Sequence, residues 1–424
     1  MNARLLGIVG AWSVVVGLGC NVDATGQGSG STASPDASTG GSGSTDTGAS
    51  SPSTSTSPDS TSDSDPTTDP DPTTTSGTDE SSGTSGVEAE WLEGYQGRKA
   101  IRIHPENDLV DFPVALTLSD MDLADAAQSD GSDLILTGAD GVSVLPFEIE
   151  LYEAMAGSLV MWVDAGPLSG TQETVVYLYF GHDAPPPPPD PEATWPDRYE
   201  GVWHMSVDGL QLRDSTAGSN TGLAGNGGDA ADELRGVIGL AGDFDGSDTH
   251  IVGDPLDGAL DFGTDSFGLS VWLNIQTSQG MNDIPVHKGC TTAFDPGYGF
   301  FLGTVGWYGA VADGLALEGV YFGEDTDLNG EWHHLMLSVD RMAGMIVSYL
   351  DGVEVDSVPL TVGSVDGFAP WVFSPFAVEI DGRMDEVRIE RGVVSANRVL
   401  AHVVNVTDPD AFYTVGPLEA PPME

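Results

Sequence analysis

From Trp91 onward, apolar residues come in short runs that alternate with polar ones and are cut off by Gly, Asp and Ser. Lys99-Ala-Ile-Arg-Ile-His104 has the period-two alternation of a half-buried strand. Phe112–Leu118, Asp133–Thr137, Leu145–Glu150, Ser158–Val163 and Thr174–Phe180 repeat it at short intervals. A second series starts at Gly201-Val-Trp-His-Met205 and continues through Phe262–Trp272, Gly299–Leu302, Leu315–Phe322, Trp332–Val339, Met345–Leu350 and Asp385–Ile389. Asp351-Gly352 after an apolar run, followed by Val353-Glu-Val-Asp356, predicts a tight hairpin. Many short strands with turn signals between them build sandwiches or barrels, so the fold class is all-β. The proline run 185–189 separates the two series and predicts a semi-rigid polyproline II spacer.

The N-terminal part obeys different rules. Arg4 precedes an apolar stretch, Leu5–Leu18, which ends at Gly17-Leu-Gly-Cys20. That order is the signature of an export signal, and the stretch lacks a basic stop-transfer flank. Residues 21–88 are Ser, Thr, Gly, Asp and Pro with almost no large apolar side chain, too little to offset chain entropy. A flexible linker of this length spans about 45 Å. The boundaries expected are therefore 1–20 signal, 21–88 disordered linker, 89–184 first β-sandwich, 185–198 spacer and 199–418 second β domain.

Lys and Arg number 13 against 66 Asp and Glu, a formal charge of -53. A field of that sign repels nucleic acid and anionic headgroups. The membrane is reached only through an anchor. The two cysteines, Cys20 and Cys290, make neither a disulfide framework nor a zinc motif, and Cys290 reads as a free thiol.

Three resemblances follow from these residues. Gly17-Leu-Gly-Cys20 resembles the lipobox of bacterial lipoproteins, with Gly17 where that family usually has Leu. It implies diacylation at Cys20 and an outer-membrane, cell-surface location, with simple secretion as the alternative. Asp111–Val114, Gly131–Leu134, Leu145–Glu150, Met161–Val163 and Val176–Gly181 together resemble the domain of unknown function that commonly precedes laminin-G-like domains in bacterial and archaeal surface proteins. It implies a β-sandwich without established activity. Asp243-Phe-Asp-Gly246, Phe267–Trp272, His287-Lys288, Trp332-His-His334, Tyr349–Gly352, Asp381-Gly382 and Met384–Ile389 stand in the order of a laminin-G-like, concanavalin-type jelly roll. That fold carries lectins, adhesion modules and hydrolases, so it does not decide among them.

Five features of the chain bear on its chemistry. Asp243, Asp245, Asp381 and Asp385 form a candidate calcium site joining an early loop to a late strand, with acidic turn residues as the plainer reading. Trp307, Tyr308, Tyr321 and Trp371 are candidate sugar-stacking residues, with Phe322 beside them. Glu379-Ile-Asp381 resembles the start of a Glu-x-Asp-x-x-Glu glucanase strand, but Arg383 or Met384 stands where the second acid belongs. Glu148 and Glu150 share a face and read as a solvated strand surface. His333 and His334, being adjacent on a strand, face opposite ways and cannot chelate one metal. The expectation is a surface protein that binds glycan or an extracellular protein, with calcium as the candidate cofactor and no enzymatic activity. A jelly-roll polysaccharide hydrolase and a purely structural envelope protein are the alternatives.

Overall fold

The computed structural model describes residues 89–423, apart from 209, 225–230, 253–257, 259, 278–282, 305, 325–327, 329 and 376–377. The signal, Cys20 and the whole linker 21–88 lie outside the described residues. The described part is all-β, in two sandwiches.

The first sandwich packs a three-stranded sheet against a four-stranded one. In the former, the strand Ser158–Val163 lies between Val114–Ser119 and Phe147–Glu153. Alternation sends Val114, Leu116, Leu118, Leu159, Met161, Val163 and Phe147 into the core. Ala115, Val160 and Trp162 face the other way. The four-stranded sheet contains Gly97–Ile103 between Thr174–Phe180 and the C-terminal strand Tyr413–Glu419. The chain thus returns to its first folded strand. The boundary at 418 does not hold, because the last strand belongs to the first sandwich and not to the jelly roll. Its short length and exposed Thr414, Val415 and Leu418 give it no sequence mark of a partner.

The jelly roll stacks an eight-stranded sheet on a nine-stranded one around a single large core. At the centre of the first lie Phe267–Thr277 and the long strand Asp381–Arg391, paired antiparallel. The hairpin at Asp351-Gly352 is present, joining Met345–Leu350 to Val353–Pro359, with Asp351 in the left-handed region. Trp203, Trp371, Phe244, Phe262, Phe267 and Tyr298 fill the space between the sheets.

His250 sits in this core, fully buried beside Phe244, with neither ring nitrogen hydrogen-bonded. Burial lowers its pKa from 6.5 to about 4. Between those values the unfolded chain binds a proton that the folded chain refuses, so stability is lost as pH falls through that window. His250→Leu is expected to remove this component. Between pH 7.5 and pH 5 the wild type should lose about 1–2 kcal/mol more than the variant, measured by urea unfolding. Equal losses would show that the site admits the imidazolium.

Residues 87–424 form one compact unit. The expected spacer does not hold the sandwiches apart. Asp190 caps the short 3-10 turn Pro191–Thr194, and Trp195 then buries itself between the two sandwiches. The helix Ala396–Thr407 closes the seam from the side of the jelly roll. Ser395 caps it, and Ala401 and Val404 pack on the first core. Four valines between 399 and 406 give this segment the look of a strand, which hides the helix in the sequence.

Candidate functional site

The seam between the sandwiches is polar at its centre. Glu148 and Glu150 are not on a solvated face. They lie on the side of Phe147–Glu153 that the jelly roll covers, and the Glu150 side chain is 2% exposed. Trp195 and Ser215 donate to Glu148 at 2.7 and 2.8 Å, and Trp162 donates to Glu150 at 2.8 Å. Alternating carboxylates look solvent-facing in a sequence. Here a second domain supplies the partners.

Two bulges aim side chains into this seam. In the first sandwich, Ile149 pairs with Met161 and Leu151 with Val160, so Glu150 is an extra residue. In the jelly roll, Trp272 pairs with Asp385 and Ser270 with Arg388, so one residue is again extra. Glu386 there has φ 48, a conformation costly for a side chain with a Cβ. Bulges re-aim side chains and are enriched beside functional sites. This one resets the alternation. Met384, Val387 and Ile389 point into the jelly-roll core, whereas Asp385, Glu386, Arg388 and Glu390 are all buried outside it.

His204 lies among the carboxylates. Its Nδ1 is 2.6 Å from Glu386 and 3.6 Å from Glu150, and its Nε2 is 3.5 Å from Glu148. Burial alone would lower its pKa, but Glu386 and Glu150 outweigh this and hold it well above the usual value. Burial pushes the Glu150 carboxyl up to about 7, against His204 and with Glu386 adding to the rise. Burial, then Glu386 and Glu150, raises Asp385 well above the carboxylate range.

A second group surrounds Glu390. Arg198 donates at 2.8 Å, Arg398 at 2.6 Å, and His402 Nε2 lies at 3.0 Å. Burial would raise Glu390, yet Arg398, His402 and Arg198 hold it well below the usual range. The Nδ1 of His402 faces Arg388 Nη1 at 3.3 Å. A guanidinium can only donate, so that nitrogen accepts and the proton sits on Nε2, toward Glu390. Burial lowers the pKa of His402 to about 4, in keeping with a neutral ring.

The candidate calcium ligands do not converge. Asp243 pairs with Arg383 at 3.1 Å. Asp245 stands opposite Asp381 in register and accepts from Ser247. Asp385 is fully buried in the seam, four residues along the strand from Asp381, about 13 Å at strand rise. A single calcium shell spans about 5 Å, so it cannot include Asp385 together with Asp245 and Asp381.

The aromatic candidates split in the same way. Trp307 and Trp371 are fully buried in the jelly-roll core, where no ligand stacks on them. Tyr308 and Tyr321 alternate to the outer face of the nine-stranded sheet and are half-buried. Their ring centroids are 5.3 Å apart. Phe301 pairs with Tyr308 in register, which makes one cross-strand row of three aromatics. The adjoining row is Gly319, Ala310, Gly299 and His287, three small residues and one ring. The three rings form a half-buried row bordered by small residues, with Phe301 packed against Ala310 and Cys290. Gly306, with φ 140, lies under Tyr321, whose ring would be 2.8 Å from any Cβ placed there. The Asp356 carboxylate accepts from the Tyr321 backbone N–H at 3.1 Å and brings an acceptor beside the row. His333 and His334 face opposite ways, the first toward Asp351 and the second buried against Trp272. Cys290 is a free, buried thiol.

The family model of the concanavalin A-like lectin/glucanases superfamily matches residues 245–400. No curated protein sequence matches the chain. Among solved structures, the binding domain of Paraclostridial Mosquitocidal Protein 1 is similar at 14% identity and TM-score 0.39, over 49% of this chain and 52% of that one. Domain 4 of AbnA, a GH43 extracellular arabinanase from Geobacillus stearothermophilus, solved with arabinotriose, is similar at 19% identity and TM-score 0.39, over 48% of this chain and 97% of that one. The botulinum neurotoxin serotype D binding domain is similar at 13% identity and TM-score 0.38, over 49% and 51%. The chain spans about half the length of the two toxin binding domains.

Proposed function

We propose that this chain is an exported lipoprotein, anchored through Cys20, that binds an extracellular glycan on the outer face of the jelly roll and performs no catalysis. The observation that carries the reading is the row Phe301–Tyr308–Tyr321 beside a floor of glycine and alanine. Sugar rings present apolar C–H faces to aromatic rings and hydroxyls to acceptors such as Asp356. Stacking on half-exposed rings fixed by sheet register costs little ordering entropy. The non-enzymatic reading is supported by the engagement of Glu386. That carboxylate accepts from Arg388 Nε at 3.1 Å in the buried seam and is no partner for Glu379 or Asp381 in a glycosidic cleft.

The test is a glycan array with the mature chain, repeated with Tyr308→Ala/Tyr321→Ala. Wild-type binding to at least one glycan is expected, with a loss of more than about tenfold in the double variant and a melting temperature within about 2 °C of wild type. Silence of the wild type on the array would reject the glycan, and a protein captured through the same tyrosines would replace it as ligand. The anchor is tested separately. Cys20→Ser should abolish labelling by a palmitate analogue and release the protein from membranes, and retained labelling would reject it.

A further inference from the structure

We propose that Glu150, His204 and Glu386 bind a divalent ion of the zinc class, which ties the first sandwich to the jelly roll. The three come from separate parts of the chain. Glu150 is the bulge residue of Phe147–Glu153, His204 follows Tyr199–Trp203, and Glu386 lies at the bulge of Asp381–Arg391. One ligand atom from each lies within 4.8 Å of the others. Around a tetrahedral zinc, ligand atoms at about 2.1 Å stand about 3.4 Å from one another, so closure asks for a shift of up to about 1.4 Å.

Unpartnered atoms in this seam point to a ligand independently. Glu150 Oε1 and Asp385 Oδ1 are buried without a hydrogen-bond partner, and His204 Nε2 has only the Glu148 carboxylate, at 3.5 Å. The side chains of Glu150 and His204 are 2% and 6% exposed, and Asp385 is fully buried. The other oxygens of the two acids are engaged, by Trp162 at 2.8 Å and by the Ile238 backbone N–H at 3.2 Å. Their free oxygens are therefore oriented and left over. Buried polar atoms without partners are rare, and buried charges are paired or coordinate metals.

Glu148, Glu150, Asp385 and Glu386 bring four carboxyl groups to a seam where His204 and Arg388 are the cations near them. Burial raises Glu150 and Asp385, which a bound divalent cation would hold ionised. The turn between Arg235 and Leu240 is also shaped for it. A Cβ on Gly239 would lie 1.6 Å from Glu150 Oε1, and one on Gly236 would lie 2.1 Å from Asp385 Oδ2. Only glycine leaves these carboxylates their space. One imidazole with carboxylates suits zinc-class ions, whereas calcium takes six to eight oxygens.

The experiment uses the full mature chain, purified without chelator, dialysed against micromolar zinc and assayed for bound metal. About one zinc per chain is expected. Chelation should lower the melting temperature by about 3 °C or more, and zinc should restore it while calcium should not. His204→Gln and Glu150→Gln should each lose the ion, whereas His333→Gln, at a half-buried histidine outside the seam, should keep it. If a seam variant fails to fold, removal and return of zinc on the wild type decides. A folded wild type that holds less than a tenth of an equivalent overturns the proposal. So does full zinc content in folded His204→Gln, and so does a stability response to calcium alone.

Discussion

Glu390→Ala is expected to cost about 3–5 kcal/mol of stability, read as a lower urea midpoint for the unit that begins near residue 87. The side chain is 1% exposed and is the shared acceptor of Arg198, Arg398 and His402. Its loss strands Arg398, 8% exposed, whose remaining contacts are the carbonyls of Val110 and Asp111 and the Tyr199 hydroxyl. Those groups solvate a guanidinium but do not neutralise it. The cost thus comes from a buried charge left alone, not from the pair's net worth. Two further variants separate the terms. Glu390→Gln keeps an acceptor and should lose about half as much. Glu390→Met with Arg398→Met removes both charges and should be milder than Glu390→Ala alone, because apolar replacement of a buried pair is often near neutral. The pH dependence has a definite sign. The folded carboxyl titrates well below its unfolded value near 4.5, so its contribution is complete above that value and is lost as pH falls. A loss under about 1 kcal/mol in Glu390→Ala would mean that water reaches this part of the seam.

What the sequence revealed and what it hid have physical causes. Period-two alternation announced the strands, because each has one face on a core. The four candidate aromatics do not share a face: Tyr308 and Tyr321 point outward, whereas Trp307 and Trp371 fill the core. Alternation is blind where a second domain covers the outer face. Glu148 and Glu150 therefore read as solvated, when Trp195, Ser215 and Trp162 hold them in the seam. It also fails at bulges. Strand parity sets Glu386 apart from Asp385, but the residue at φ 48 brings both to one side. No local pattern encodes such a shift. His204 carried no motif either. The available signal was indirect: Asp385, Glu386, Arg388 and Glu390 follow one another between Met384, Val387 and Ile389 at the centre of a strand, too many charges for a buried sheet unless something opposite answers them.

Deleting residues 413–424 is expected to open the first sandwich while leaving the jelly roll folded. The strand Tyr413–Glu419 does two things at once. It covers the edge of Gly97–Ile103, pairing from Ile103↔Tyr413 to Arg98↔Glu419. Its first residue also serves the other sheet, because the Tyr413 hydroxyl accepts from the Thr117 N–H at 2.7 Å and donates to the Thr117 carbonyl at 3.0 Å. Two residues earlier along that edge, the Asn405 amide does the same for Ala115, at 2.8 and 2.9 Å. Two side chains thus take the place of a neighbouring strand along Val114–Ser119. An uncovered edge is costly in solution and prone to pairing with other chains. Removing the strand takes away the burial of Tyr413, the ladder to the N-terminal strand and both bonds to Thr117, together about 4–6 kcal/mol. That approaches the whole stability of a small domain. Limited proteolysis of the truncated chain should cut rapidly within 97–180 and spare 240–391. Tyr413→Phe, which removes only the hydroxyl, should cost about 1–3 kcal/mol through the unsatisfied Thr117 groups and leave the sandwich closed. A truncated chain as resistant as the full one would show that the first sandwich stands without its returning strand, and the coupling of the chain's two ends would then have no energetic weight.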